Sequence, residues 1–202
     1  MRKSKAETAE TRKRIVNVAS QVFKCNGIHA AGVSEIMAAA GLTHGGFYRH
    51  FESKEQLVAE ACAVSMDELV GAAEIAVEGG DETFLKHVED FLSAEYRDDH
   101  LGGSPLVAMG SELARASEAT RRAATLGYEG LIELMAKRCH LRGPELAKTD
   151  AIFTLSSMIG AVTMSRIVDD PELSHLILES TRTRLTELSA CPKAKRSKAK
   201  AA

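Results

Sequence analysis

The sequence contains no tryptophan, and aromatic residues make up only 4% of its 202 positions. Large aromatic and strand-favouring side chains are therefore too few to build a β-rich core, whereas Ala, Leu, Glu and Arg, the good helix formers, are plentiful. Cysteines number four, Cys25, Cys62, Cys139 and Cys191, and no two form a CxxC pair. That spacing suggests neither a disulfide framework nor a zinc site, and it fits reduced thiols in the cytosol. Long apolar runs are missing too. The most apolar stretch, Met158 to Met164, is far shorter than the ~20 residues a spanning helix needs. The opening Met-Arg-Lys-Ser-Lys is charged where a signal peptide would be apolar. A cytoplasmic protein without membrane contact is expected. Phosphate-cradling P-loops, dinucleotide glycine patterns, HExxH and GxSxG are also lacking, so neither an enzyme nor a cofactor is expected.

What is present is an uneven charge distribution. Residues 1–55 hold nine Lys/Arg and five Asp/Glu, a net +4. Residues 56–190 hold twelve against twenty-three, a net −11, and residues 191–202 hold five basic residues and no acidic one. A basic head on an acidic body is the arrangement expected when the head alone meets a polyanion.

Hydrophobic periodicity predicts an all-α fold of about nine helices. The first covers about residues 8–26, placing Ile15, Ala19, Val22 and Phe23 on one face before Asn26-Gly27. Short helices follow at 33–40 and 43–50, and a long one runs from Ser53 to about Val77. Single helices are then expected over 81–96, 106–116, 118–141, 145–168 and 172–188. Gly79-Gly80, Pro105, Gly143-Pro144 and Pro171 mark the breaks. Three parts result: a head over 1–55, a larger body over 56–190 and a basic, disordered tail over 191–202.

Residues 33–57 read VSEIMAAAGLTHGGFYRHFESKEQL. Ile36 and Ala40 give one short helix an inner face, Gly41 permits a tight turn, and Leu42, Phe47 and Phe51 give the next its inner face. Two helices joined so tightly cross steeply, which is helix-turn-helix geometry. Thr43, His44, Gly45, Tyr48 and Arg49 then project outwards. The run Ile36, Ala40-Gly41-Leu42, Thr43, Gly45, Phe47-Tyr48, His50-Phe51, Lys54-Glu55 and Leu57 resembles the N-terminal pattern of the TetR family of repressors. Two positions depart from it: Met37 replaces a usually small residue, and His44 replaces a common Lys, which makes one DNA contact weaker or dependent on pH.

The resemblance implies a homodimeric, ligand-responsive repressor on a palindromic double-stranded DNA operator. Position by position it implies phosphate contacts from Thr43, Tyr48, His50 and Lys54. Base reading falls to His44, Gly45 and Arg49, with Ser34 or Glu35 from the preceding helix, and the arm Arg2, Lys3, Lys5 adds a further contact. A small-molecule effector would lie among Met66, Phe84, His87, Val88, Phe91, Met109, Tyr128 and Ile132. Ser104 stands where many relatives carry Cys, so thiol sensing there is excluded, and Cys62 and Cys139 are read as inert packing residues. His87 with Asp98, Asp99 and His100 matches no metal motif, and no metal site is expected. Dimerisation is assigned to the last two helices, through Ile152, Leu155, Ser156, Ile159, Gly160, Ala161 and Val162, with Leu173, Ile177 and Leu188. The competing reading is a helical interaction module without a specific operator.

Overall fold

The computed structural model describes residues 5–99, 103–138 and 144–189. Expectations for Arg2, Lys3, His100, Cys139, Cys191, the tail 191–202 and the Leu188 side chain lie outside the described residues. The described residues contain helices and no strand, which bears out the all-α expectation. The helices are α1 (Lys5–Asn26), α2 (Val33–Ala39), a 3-10 helix (His44–Arg49), α3 (Lys54–Glu78), α4 (Gly80–Phe91) and α5 (Ala94–Arg97). After these come α6 (Pro105–Ala108), α7 (Gly110–Leu113), α8 (Glu118–Arg138), α9 (Pro144–Ile167) and α10 (Pro171–Ser189).

Among the described residues eleven helices replace the nine expected because two segments, 81–96 and 106–116, each divide in two, the second at Met109-Gly110. After α4, Leu92 leaves helical geometry and Ser93 starts a new turn, its hydroxyl accepting the Tyr96 N–H at 3.0 Å. The segment 106–116 bends at Met109 (φ −125°, ψ 11°), which is buried. Burying Leu92 and Met109 wins over helix continuity at both places.

Three helices form the head. Ile15, Ala19 and Phe23 of α1 close over Ile36 and Met37 of α2, Phe47 of the 3-10 helix and Phe51. The long helix α3 begins beneath this cluster and continues into the body. Its start is capped by Ser53, whose hydroxyl accepts the Gln56 N–H at 3.1 Å, a bond of about 1 kcal/mol. In the body, α3 packs along α8 closely enough that a Cβ on Gly127 would come within 2.5 Å of the Met66 Cβ. Then α9 packs on α8, and α10 on α9.

The two described cysteines differ in reactivity. Cys62 is buried between α3 and α8, and desolvation pushes its thiol up to about 11, so at pH 8 about one molecule in a thousand is thiolate. Cys25 is exposed at the end of α1. Iodoacetamide at pH 8 is therefore expected to carbamidomethylate Cys25 and leave Cys62 unmodified until the protein unfolds. Peptide mass spectrometry before and after adding denaturant checks this.

Candidate nucleic-acid interface and effector cavity

The turn that presents the reading helix is built by its backbone. Helix α2 ends with the Gly41 N–H on the Ala38 carbonyl at 2.9 Å and the Leu42 N–H on the Met37 carbonyl at 2.8 Å. Such paired closing bonds need a left-handed residue between them, and Gly41 has φ +70°. The following 3-10 helix, tighter than the α-helix expected, turns Phe47 inwards, where it stacks on Phe51 with ring centroids 5.5 Å apart. The departure at Met37 is accommodated in the head core, where the side chain is fully buried and its methyl reaches Gly46 at ordinary contact distance.

Thr43, His44, Gly45, Tyr48 and Arg49 all lie exposed on the outer side of this turn, and Ser34 is exposed on α2. Tyr48 is 70% exposed and held edge-on by Phe47, with centroids 5.2 Å apart. Nothing lies within 4 Å of where a Gly45 Cβ would stand, so the backbone is bare on that side. Glu35 is differently engaged from Ser34: its carboxylate accepts the Asn26 amide at 2.8 Å and the Gly32 N–H at 3.4 Å, which caps α2. His50 is half-buried at the end of the turn. Lys54 has an internal task, donating to the Ile28 carbonyl at 2.6 Å, and its ammonium keeps two of three N–H donors for another partner.

Two contacts that sequence reasoning missed fix the head. Arg12 donates through Nε to the His50 carbonyl at 3.1 Å, pairs with Glu60 of α3 and lies 4.5 Å over the Phe51 ring. Its counterpart is Glu112 on α7, whose carboxylate accepts the backbone N–H groups of Ile28 at 2.9 Å and His29 at 2.8 Å. Gly27, at φ +81°, leaves room for it, since a Cβ there would come within 2.9 Å of the carboxylate.

An apolar cavity of about 40 Å³, the space of about one water, lies in the body. Of the residues expected in an effector pocket, Phe84, His87, Val88 and Phe91 of α4 line it. Leu69, Ala73, Leu106, Leu131, Met135 and Met158 add to its apolar wall, as does Ser104 at one side. His87 is the polar exception on α4; burial holds its imidazole below the ordinary range against the opposing pull of Asp90. Met66, Met109, Tyr128 and Ile132 do not line this cavity. Met66 is spent on the close approach to Gly127, and Met109 packs with Phe23, Ile28 and Leu113 under the head. Ile132 lies in an open groove beside Glu129, Glu133 and Lys137. Tyr128 reaches α9, its hydroxyl 3.0 Å from that of Ser156. A more open and polar cleft of about 570 Å³ runs past Lys24, Cys25, Arg97 and Arg166, but Asp98, Asp99 and Asp169 on its walls cancel those charges.

The residues of α9 and α10 expected at a dimer face differ in burial. Val162 is fully buried and Leu155 nearly so, which places both in the chain's own interior, while Ile159 lines the cavity and is partly exposed. Ala161 is buried as well. Ile152 and Leu173 are exposed as expected, while Gly160 and Ile177 are partly exposed. Unexpectedly exposed beside them are Phe153 (54%), Met164 (48%), Ile167 (67%) and Leu176 (59%). Phe153, Gly160, Met164 and Ile167 are spaced by seven, four and three residues, one face of a helix.

Residues 15–61, which span the last part of α1, the tight turn, the 3-10 helix and the start of α3, match the profile of "Bacterial regulatory proteins, tetR family". This N-terminal segment is similar to the DNA-binding segment of TetR-family regulators. The regulator AcrR of Shigella flexneri is 41% identical over 64 residues, 32% of this chain and 30% of that protein. The repressor BepR of Brucella suis is 48% identical over 54 residues, 27% of this chain and 26% of its own length. These alignments thus span under a third of those relatives and speak for the head. Over most of the chain, a TetR transcriptional regulator from Chloroflexus aurantiacus is 29% identical, with a TM-score of 0.72, covering 90% of this chain and 95% of that one. The reduced form of NemR from Escherichia coli, at 20% identity and a TM-score of 0.74, agrees in fold over 88% of this chain and 96% of its own. The body is thus a TetR-like helical fold.

Proposed function

We propose that this protein is a dimeric transcriptional repressor that binds a palindromic DNA operator through its head, 1–55, and is released by a small molecule held in its body, 56–190. The observation that carries the reading is the exposed row of Thr43, His44, Gly45, Tyr48 and Arg49 on a head of net charge +4, set against a body of net charge −11. A body so acidic is repelled by DNA, so the orientation of approach is fixed by charge alone. In this reading Tyr48, Thr43, His50 and the remaining donors of Lys54 hold phosphates. His44, Gly45, Arg49 and Ser34 meet base edges in the major groove. A reading turn this short touches few base pairs, which makes two copies on a two-fold site necessary for specificity. The exposed apolar residues of α9 and α10 supply the surface for that pairing.

Release follows from the geometry around the cavity. Its wall takes Leu69 and Ala73 from α3, which rises from the head, and Leu106 from α6, which leads directly into α7 and Glu112. A ligand that fits only an expanded cavity favours displaced α3 and α6, and it lowers DNA affinity by as much as it prefers that state.

Anisotropy titration with genomic fragments, followed by footprinting, tests the reading; absence of any preferred fragment would favour the interaction module instead. On the operator so found, Tyr48→Phe is expected to weaken binding to all sequences alike. Arg49→Ala is expected to cost about 1–3 kcal/mol and relax the preference at one base pair in each half-site. An Arg49→Ala protein with unchanged sequence preference would refute its assignment to base reading.

A further inference from the structure

We infer that the cavity admits a compact, uncharged, mainly hydrocarbon molecule with one hydrogen-bonding group, and that this group meets the imidazole of His87. The inference rests on the effector reading above and gives that site its ligand class. Apart from His87 the lining holds no ionisable side chain. Arg138, which lies 4.0 Å over the ring of the lining residue Phe84, is already occupied, paired with Asp81 at 2.6 Å. A carboxylate or ammonium entering this space would lose its hydration and find no opposite charge on the lining, since Asp90, whose charge reaches His87, is exposed and paired with Lys86 at 3.2 Å. An uncharged ligand escapes that penalty.

His87 adds the polar requirement. Among the described residues its ring has no hydrogen-bond partner, although it is half-buried on the cavity wall. A neutral imidazole offers one donor and one acceptor, so a phenol, alcohol or ketone oxygen satisfies it and a pure hydrocarbon does not. The closed volume of about 40 Å³ is smaller than a single aromatic ring, so the walls must yield. Met135 and Met158, flexible and unbranched, are placed to do so.

Isothermal calorimetry on the full chain with four probes of one shape tests this: 4-ethylphenol, ethylbenzene, 4-ethylbenzoate and 4-ethylbenzylammonium. The phenol is expected to bind about tenfold more tightly than the hydrocarbon, the equivalent of one buried hydrogen bond, and the two ions at least tenfold more weakly than the phenol. His87→Leu should still bind ethylbenzene but bring the phenol to within about twofold of it, and His87→Gln, which keeps a donor and an acceptor, should restore the preference. Equal binding of an ion, an unchanged preference in a His87→Leu protein that still binds ethylbenzene, or no binding by any probe overturns the inference. Because the titrations contain no DNA, a phenol that binds with this selectivity but leaves the DNA complex intact upholds the ligand class and counts against the effector reading alone.

Discussion

Replacing Phe153 and Met164 together by Glu is expected to yield a folded protein that sediments as a single chain and binds operator no better than random DNA, a loss of about a thousandfold or more. Both side chains are about half exposed on α9, so a carboxylate at either position is solvated in the separated chain and costs its fold little. Across a two-fold axis the same carboxylates would be desolvated without a partner, at several kcal/mol for each copy. The neighbouring substitution Val162→Glu should behave differently, because Val162 is fully buried and a charge there has no solvated position even in one chain. Its expected result is loss of the cooperative unfolding transition rather than dissociation. Sedimentation and circular dichroism on the two variants separate the outcomes. An intact dimer in the double variant would move the interface away from this face, and a folded Val162→Glu monomer would return Val162 to it.

Helix α9 also shows where sequence reasoning reached its limit. From residue 151 to 167 apolar side chains occur on every side of the helix, so periodicity cannot tell which side meets the core and which a second chain. Assigning Leu155, Ile159 and Val162 outwards followed from their regular spacing, and Phe153, Met164 and Ile167 have equally regular spacing. Only the position of α8 and the cavity decides between them. The head was legible for the opposite reason. There the turn glycine, the inward Phe47 and Phe51 and the outward Tyr48 each have one conformation that satisfies them, and together they permit one arrangement. Helix ends marked by glycine or proline, as after Asn26, before Pro105 and before Pro171, were likewise readable. The break at Leu92 was not, since no glycine or proline marks it and its cause is burial against distant residues, and the one at Met109 was passed over although Gly110 follows it directly. The pocket was half legible: α4 carries a clear apolar face, but whether a residue of α3 or α8 lines a cavity or closes the contact between them depends on a register that Gly127 sets.

Glu112 had no signal in the sequence, being one acid among the many of the body, yet it makes the most specific link between body and head. A single carboxylate receives two consecutive backbone N–H groups, Ile28 and His29, from the loop after α1, while Lys54 holds the Ile28 carbonyl from the other side. The loop is thus gripped by the body through α7 and by the head's own side through α3. Bonds from neutral N–H groups to a charged acceptor are among the stronger ones, about 1.5–3 kcal/mol each at full burial, and partial exposure here reduces that. Leu106, on the cavity wall, lies six residues before Glu112, so in the proposed release a shift of α6 would have a short path along the chain to this contact.

Glu112→Ala is therefore expected to free the loop without unfolding the body. Amide exchange at Ile28 and His29 should quicken about thirtyfold, corresponding to about 2 kcal/mol, while the amides in the middle of α8 keep their protection. Operator affinity should fall by about tenfold, because a head no longer fixed to its body must be ordered again on each binding event. Glu112→Gln keeps an acceptor oxygen but loses the charge, and it should lie between the two. If the cavity acts through this contact, a cavity ligand should release DNA from the wild type but have little left to release in Glu112→Ala. A head whose operator affinity is unchanged by Glu112→Ala, with the two amides freed, would show that the contact positions the loop without governing DNA binding, and would leave α3 to carry the response.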